Sequence, residues 1–221
     1  MIKKIVIFGA GDIAQLAHYY FTYDSDYEVV AFTVDRNFIK GSDFCGLPVH
    51  PFDESLTKKF PSDEFKLFIA LSYSQLNQVR KQKYCEAKAL GYELASYISS
   101  KATILTDNIG DNCFILEDNT LQPFTSIGPN TTLWSGNHIG HHSSIGAHNF
   151  IASHVVVSGG VTIGNECFIG VNATLRDHIC VGDKCVIGAG VILMADAGAE
   201  GLYKASSTKR ASVPSSKLKN I

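Results

Sequence analysis

From Ile109 to Leu193 every sixth residue is Ile, Leu or Val, through Ile115, Leu121, Ile127, Leu133, Ile139 and onward without a gap. Many of these are followed by Gly, as at Gly128, Gly140, Gly164 and Gly170. Four residues after each aliphatic stands a mostly small or apolar residue, such as Thr125, Val155, Cys167, Ala173 or Cys185. An α-helix needs a period of 3.6 and an ordinary strand a period of 2. A period of six held over about 90 residues fits neither, and it argues against an ordinary β-sandwich. It fits a solenoid with a triangular turn, in which each flat face sends one aliphatic and one smaller side chain into a narrow core. Corners of such a prism favour Gly or Asn, which tolerate positive φ. Three faces make one coil, so residues 18 apart stack as strand neighbours roughly 4.8 Å apart. The unbroken register leaves room for about five coils and no long interrupting loop.

The chain before the repeat reads differently. Residues 3–8 are an apolar strand, and Gly9-Ala10-Gly11-Asp12-Ile13-Ala14-Gln15 is a Gly-rich turn opening a helix to about residue 20. Residues 28–34, 67–71 and 92–97 read as strands and 74–90 as an amphipathic helix. Strand–helix alternation implies a small parallel α/β domain. The expected organisation is a Rossmann-like α/β domain over residues 1–98, a parallel β-helix over 102–195 and a tail over 196–221. Gly9-x-Gly11-x-x-Ala14 followed by Asp35 is similar to a dinucleotide fingerprint. Fewer than 100 residues leave no space for a second mononucleotide half, which disfavours NAD. Backbone N–H groups at a helix start still suit a phosphate, and an acid after the second strand suits a base or ribose. The alternative is a bare scaffold with a tight strand–helix turn.

Hydrophobic residues make up 45% and charged residues 18% of the chain, enough to build a core. Net charge is −2 and no basic stretch carries interleaved aromatics, which argues against nucleic acid as a partner. No apolar run approaches the roughly 20 residues of a membrane span. The apolar start meets Gly9 too soon for a secretion signal, so a cytoplasmic location is expected. The 6 cysteines form no CxxC pair. Cys113, Cys167 and Cys185 fall on one inward phase and read as buried thiols. His138, His141, His142, His148, His154 and His178 are concentrated in the repeat. No two of them are 18 apart, so they diverge around the prism and no metal site is expected. Trp134 and Leu116 are expected on an outer surface that needs a partner. Asn119 and Asn137 are expected as an internal amide ladder.

Runs such as Ile163-Gly164-Asn165-Glu166-Cys167-Phe168 and Ile169-Gly170-Val171-Asn172-Ala173-Thr174 resemble the hexapeptide-repeat acyltransferases. The resemblance implies left-handed winding and a homotrimer with its active site between neighbouring prisms. A small Rossmann-like domain followed by a left-handed β-helix resembles one subfamily. It holds sialic-acid O-acetyltransferases and N-acetyltransferases of nucleotide-linked 4-amino sugars. The implied function is acetyl-CoA-dependent N-acetylation of a nucleotide-linked amino sugar for surface glycan (O-antigen-type) biosynthesis. A sialic-acid-type O-acetyltransferase and a non-catalytic trimeric scaffold are the alternatives.

The resemblance also implies site residues. Gly9, Ala10, Gly11, Asp12, Asp35, Arg36, Leu71 and Ser72 match the nucleotide-sugar-binding elements. Ile139-Gly140-His141-His142-Ser143-Ser144-Ile145-Gly146 is similar to the segment carrying the catalytic histidine, which makes His141 the general base. Several relatives hold an acid where this chain has His142, leaving His142 either to assist or to line the site. Gly159 matches a position whose N–H meets the acetyl thioester, with a plain corner glycine as the other reading. Lys209 and Arg210 are placed to meet CoA phosphates. Acetyl-CoA is the implied co-substrate, without a metal.

Overall fold

The computed structural model describes residues 3–217. The first domain contains β1 (Lys3–Phe8), α1 (Asp12–Tyr23), β2 (Tyr27–Val34), β3 (Asp43–Phe44), β4 (Leu47–Pro51), α2 (Glu54–Lys59), β5 (Phe65–Ile69) and α3 (Gln78–Ala89). Its five strands lie in the order β3-β4-β2-β1-β5, parallel except for the β3–β4 hairpin. Successive strand residues face opposite sides. Ile5 and Ile7 therefore pack with Phe21, Phe32 and Phe68, while Val6 and Phe8 pack with Leu56, Leu67 and Ala87. Apolar residues on both faces make β1 a buried central strand. The hairpin and α2 give no periodic signal in the sequence because they are short. Asp53 starts α2 by accepting the Ser55 N–H at 2.8 Å.

Helix α3 starts at Gln78, later than the apolar pattern predicts. Gln75, Leu76 and Asn77 all have positive φ, at 50°, 52° and 66°. Asn77 is fully buried and donates to the Cys167 carbonyl at 3.0 Å. It accepts from Arg80, whose guanidinium also reaches Thr132 Oγ1 at 2.8 Å and the Asn149 carbonyl at 2.9 Å. These contacts to the prism override local helix propensity.

The repeat folds into a left-handed parallel β-helix. Face one holds seven two-residue strands, from Tyr97–Ile98 to Leu202–Tyr203. Face two holds six, from Thr103–Ile104 to Ile192–Leu193, and face three holds four, from Ser126–Ile127 to Cys180–Val181. Ile127 pairs with Ile145 and Ile145 with Ile163, one coil apart at each step. The aliphatic series fills the core together with Cys113, Cys167 and Cys185, all fully buried free thiols. The strand expected over 92–97 divides in two. Leu94 bridges Leu67 in the first domain, whereas Tyr97–Ile98 already pairs with Phe114–Ile115 of the prism. Coiling also continues past residue 195, because Ala197 bridges Val181 and Leu202–Tyr203 pairs with Val186–Ile187.

Three expectations about the prism need correction. The glycines after the aliphatics are not the positive-φ corners. A Cβ on Gly140 would lie 2.6 Å from the Gly159 nitrogen, so this glycine serves close approach of successive coils. The left-handed corners are instead held by residues such as Asn130, His142, His154 and Asn172. Secondly, Leu116 is fully buried and packs with half-buried Trp134 against the first domain. Thirdly, Asn119 and Asn137 make no amide–amide ladder. Asn119 Nδ2 donates to the Trp134 carbonyl at 2.9 Å, and Asn137 Oδ1 accepts from the Val155 N–H at 2.7 Å.

The first domain covers face one. Phe114 is buried among Phe68 and Tyr97, and the Tyr73 ring lies 4.9 Å from Phe150 and 4.7 Å from Phe168. In a triangular prism, the edge opposite face one is the corner joining faces two and three. Gly140, His141 and His142 form that corner, between Ile139 of face two and Ser144 of face three.

Candidate active site

The strand register explains how the histidine corner is assembled. His138–Ile139 pairs with Val156–Val157, which sets Gly140-His141-His142 beside Ser158-Gly159-Gly160. A Cβ built on Gly159 would lie 2.7 Å from His141 Cε1 and 2.8 Å from Nε2. The missing side chain is what lets the His141 ring lie there. The Gly159 N–H has no acceptor among the described residues, whereas neighbouring Ser158 and Gly160 donate to Leu175 and His141 carbonyls. His154 and His178 also pack over glycines, Gly136 and Gly160, but from the following coil. His141 alone of these three leans toward the next coil.

His141 Nδ1 lies 3.0 Å from His142 Nδ1. A hydrogen bond between two such nitrogens needs one proton, so two neutral rings hold opposite tautomers. With the proton on His141 Nδ1, its Nε2 keeps a free lone pair and His142 carries its proton on Nε2. The backbone fixes both residues. The His141 N–H donates to Gln122 Oε1 at 2.8 Å, and the His142 N–H donates to the Pro123 carbonyl. His142 has φ 59° and its ring lies 4.7 Å from that of Phe124. Both histidines are exposed.

A second candidate site is a cleft of about 480 Å³ at the carboxyl ends of β1, β2 and β5. Gly9, Ala10, Gly11, Asp35 and Leu71 line it, as the sequence pattern leads one to expect. Gly9 has φ 129°, and a Cβ there would lie 2.7 Å from the Ala70 carbonyl oxygen, so this turn requires glycine. Asp12, Arg36 and Ser72 stand outside the lining. Asp12 sits in the first turn of α1, and Arg36 is held by Asp53 at 2.6 Å. Lining residues that the sequence did not reveal include Phe38, Lys40, Phe44 and Lys83. Lys83 Nζ lies 2.7 Å from both Asp35 and Glu86. Burial pulls the Lys83 pKa down, but the two carboxylates outweigh it and hold the ammonium above its ordinary value. Only the fold brings Lys83 of α3 to the end of β2.

Lys209 and Arg210 are exposed in the segment beyond Tyr203 and make no ion pair among the described residues. Among the described residues no group of three or more His, Cys, Asp or Glu is placed to hold a metal ion. No described helix is long and apolar enough to cross a membrane.

Residues 124–159 match the sequence family described as bacterial transferase hexapeptide, and 160–195 match the hexapeptide repeat of succinyl-transferase. Residues 124–195 are therefore a hexapeptide-repeat region, and an α/β domain stands ahead of the β-helix. No curated protein matches it. Several solved structures share the whole fold. One is the acetyltransferase domain of PglB from Neisseria gonorrhoeae FA1090 with acetyl coenzyme A. It has 24% identity and a TM-score of 0.78, covering 90% of this chain and 94% of that one. Another is a histidine-to-asparagine variant of perosamine N-acetyltransferase from Caulobacter crescentus, bound to CoA and GDP-perosamine. It has 21% identity and a TM-score of 0.78, with 91% and 93% coverage. A third is WeeI from Acinetobacter baumannii AYE, with 19% identity and a TM-score of 0.75, covering 90% and 95%.

Proposed function

We propose that the chain is an acetyl-CoA-dependent N-acetyltransferase acting on a nucleotide-linked amino sugar, in a cytoplasmic route to surface glycans. The observation that carries this reading is the His141 ring seated against Gly159, beside an unpartnered N–H. In the proposed reaction His141 Nε2 takes a proton from the sugar amine as its nitrogen attacks the thioester carbonyl. The Gly159 N–H donates to the developing oxyanion, and CoA leaves as the thiol once the tetrahedral intermediate collapses. His142, accepting from His141 Nδ1, holds the tautomer that keeps Nε2 free. Its place is taken by an acid in several of the enzymes the sequence resembles.

Gly9, Ala10 and Gly11 would present backbone N–H groups to the diphosphate at the start of α1. Asp35, with Lys83, would meet the base or ribose while Leu71 closes the cleft. Asp12 and Ser72 lie at the ends of the elements forming the cleft, and Arg36 reaches it only by leaving Asp53. Lys209 and Arg210 are assigned to the CoA phosphates. The cleft-bearing domain packs on face one, and His141 lies on the opposite edge. A homotrimer, in which one chain's cleft serves its neighbour's histidine, resolves this separation.

Purified protein incubated with acetyl-CoA and GDP-, UDP- or dTDP-linked 4-amino sugars tests the reading, with product followed by mass. Acetylation of one of them at the amine is the expected result. Activity only on a sialic-acid hydroxyl favours the O-acetyltransferase alternative, and activity on neither overturns both.

A further inference from the structure

Phe124 stands where the fold gives it little in return. It has φ 65° and is 74% exposed. Among the described prism residues, every other non-glycine with positive φ is Asn, Asp, His, Glu or Lys. A bulky ring in this region is a genuine outlier, and strain held without compensating packing clusters at functional sites. One face of the ring meets His142, with centroids 4.7 Å apart and planes at 35°. His142 in turn bonds His141. The exposed aromatic surface is thus two contacts from the proposed base.

The coil order gives the site two sides. Gln122, Pro123 and Phe124 lie one coil before His141, and they are uncharged. Gly159 and Gly160 lie one coil after it, followed by Arg176, Asp177 and His178 in the next. If the thioester sits against Gly159, the amine must approach from the Phe124 side. A flat apolar surface at an uncharged corner suits the C–H face of a sugar ring, and neither it nor exposed Asp107 in the coil before offers anything to the phosphates of CoA.

We infer that Phe124 is a binding residue for the hexose of the acceptor, its free face stacking on the sugar and holding the amine toward His141. The inference rests on the acetyltransferase reading above. Its test compares Phe124→Asn and Phe124→Tyr with the parent, using a GDP-linked 4-amino-4,6-dideoxyhexose and acetyl-CoA. Asn tolerates left-handed backbone, so Phe124→Asn should melt no lower than the parent. Its KM for the sugar nucleotide should rise roughly tenfold or more, with KM for acetyl-CoA and the pH profile unchanged. Phe124→Tyr should retain parent kinetics. Saturation-transfer NMR with the free methyl glycoside provides a readout that does not need turnover. The sugar C–H signals should weaken in the Asn variant. Parent-like sugar binding in Phe124→Asn overturns the inference and leaves the enzyme assignment standing. So does a rise confined to the acetyl-CoA KM, or loss of the trimer in sedimentation. A parent that acetylates no amino sugar is a failure of the enzyme assignment instead.

Discussion

The imidazole of His141 occupies the space that a side chain at Gly159 would fill, with a Cβ there only 2.7 Å from Cε1. Gly159 has no positive φ, so alanine is compatible with its backbone. Gly159→Ala should therefore fold and melt like the parent while pushing the ring aside. A shift of about 1 Å in a catalytic group can cost about a hundredfold. A drop of that size in kcat is expected, measured at saturating sugar. Full activity in this variant would show that the ring position is unimportant.

The Nδ1–Nδ1 contact makes a prediction about His142 that a generic polar neighbour does not. Asn tolerates φ 59° and its Oδ1 falls near the place of the imidazole Nδ1. His142→Asn should keep most of the parent turnover by accepting from His141. His142→Ala removes the acceptor and should lower kcat about tenfold, and His142→Lys, a donor only, should lower it at least as much. The outcome that sinks this is equal activity in all three.

Lys83 bridges Asp35, which lines the cleft, and Glu86 behind it on α3. Lys83→Met should leave the Asp35 carboxylate without its counter-charge in the cleft and weaken binding of the proposed nucleotide ligand about tenfold in calorimetry. Asp35→Ala should raise KM for the nucleotide sugar and leave that for acetyl-CoA alone, because the two ligands are assigned to different domains. A change confined to acetyl-CoA in either variant contradicts this placement.

His148 supplies a pH test of the joint between the domains. Its Nδ1 lies 2.8 Å from Asn130 Nδ2, and Asn130 in turn accepts from Asn112, which bonds the backbone of Ile69. Burial, with Lys81 and Arg80 nearby, pushes the His148 pKa down from 6.5 to about 4. The unfolded chain therefore gains a proton here before the fold does. The contribution is intact above pH 6.5 and drains away as pH falls toward 4. Melting temperature should drop over that window, and the drop should be smaller in His148→Asn. An identical pH slope in the variant would assign the effect to other groups.

Ile163 is 1% exposed in the prism core. Ile163→Asp buries a carboxylate without a partner, at a cost of several kcal/mol against a typical domain stability of about 5–15 kcal/mol. The variant should be insoluble or melt far below the parent in a thermal scan.

The period of six was legible because one rule, an aliphatic facing inward on every flat face, operates locally and repeats. Ile127, Ile145 and Ile163 stack as their spacing of 18 requires. The corner chemistry was less legible. His142 and Asn172 accept positive φ, whereas glycines such as Gly140 answer to the neighbouring coil, and the two demands leave similar marks in sequence. What joins the domains was not legible at all. Arg80 reads as one more charge on an amphipathic helix until its contacts with Thr132 and Asn149 bury it. Lys83 meets Asp35 only across the sheet. Phe124 carried a signal that could have been used, as an aromatic where the repeat offers a corner.

The most direct measurement is kcat for acetyl transfer in His141→Ala against the parent, on the same amino sugar and across the same pH range. The arrangement around Gly159 predicts a fall of roughly 10²–10⁴-fold with KM values little changed. Near-parental turnover in His141→Ala would contradict the assignment of His141 as the base. If His142→Ala were the inactive variant instead, the base would be the neighbouring ring.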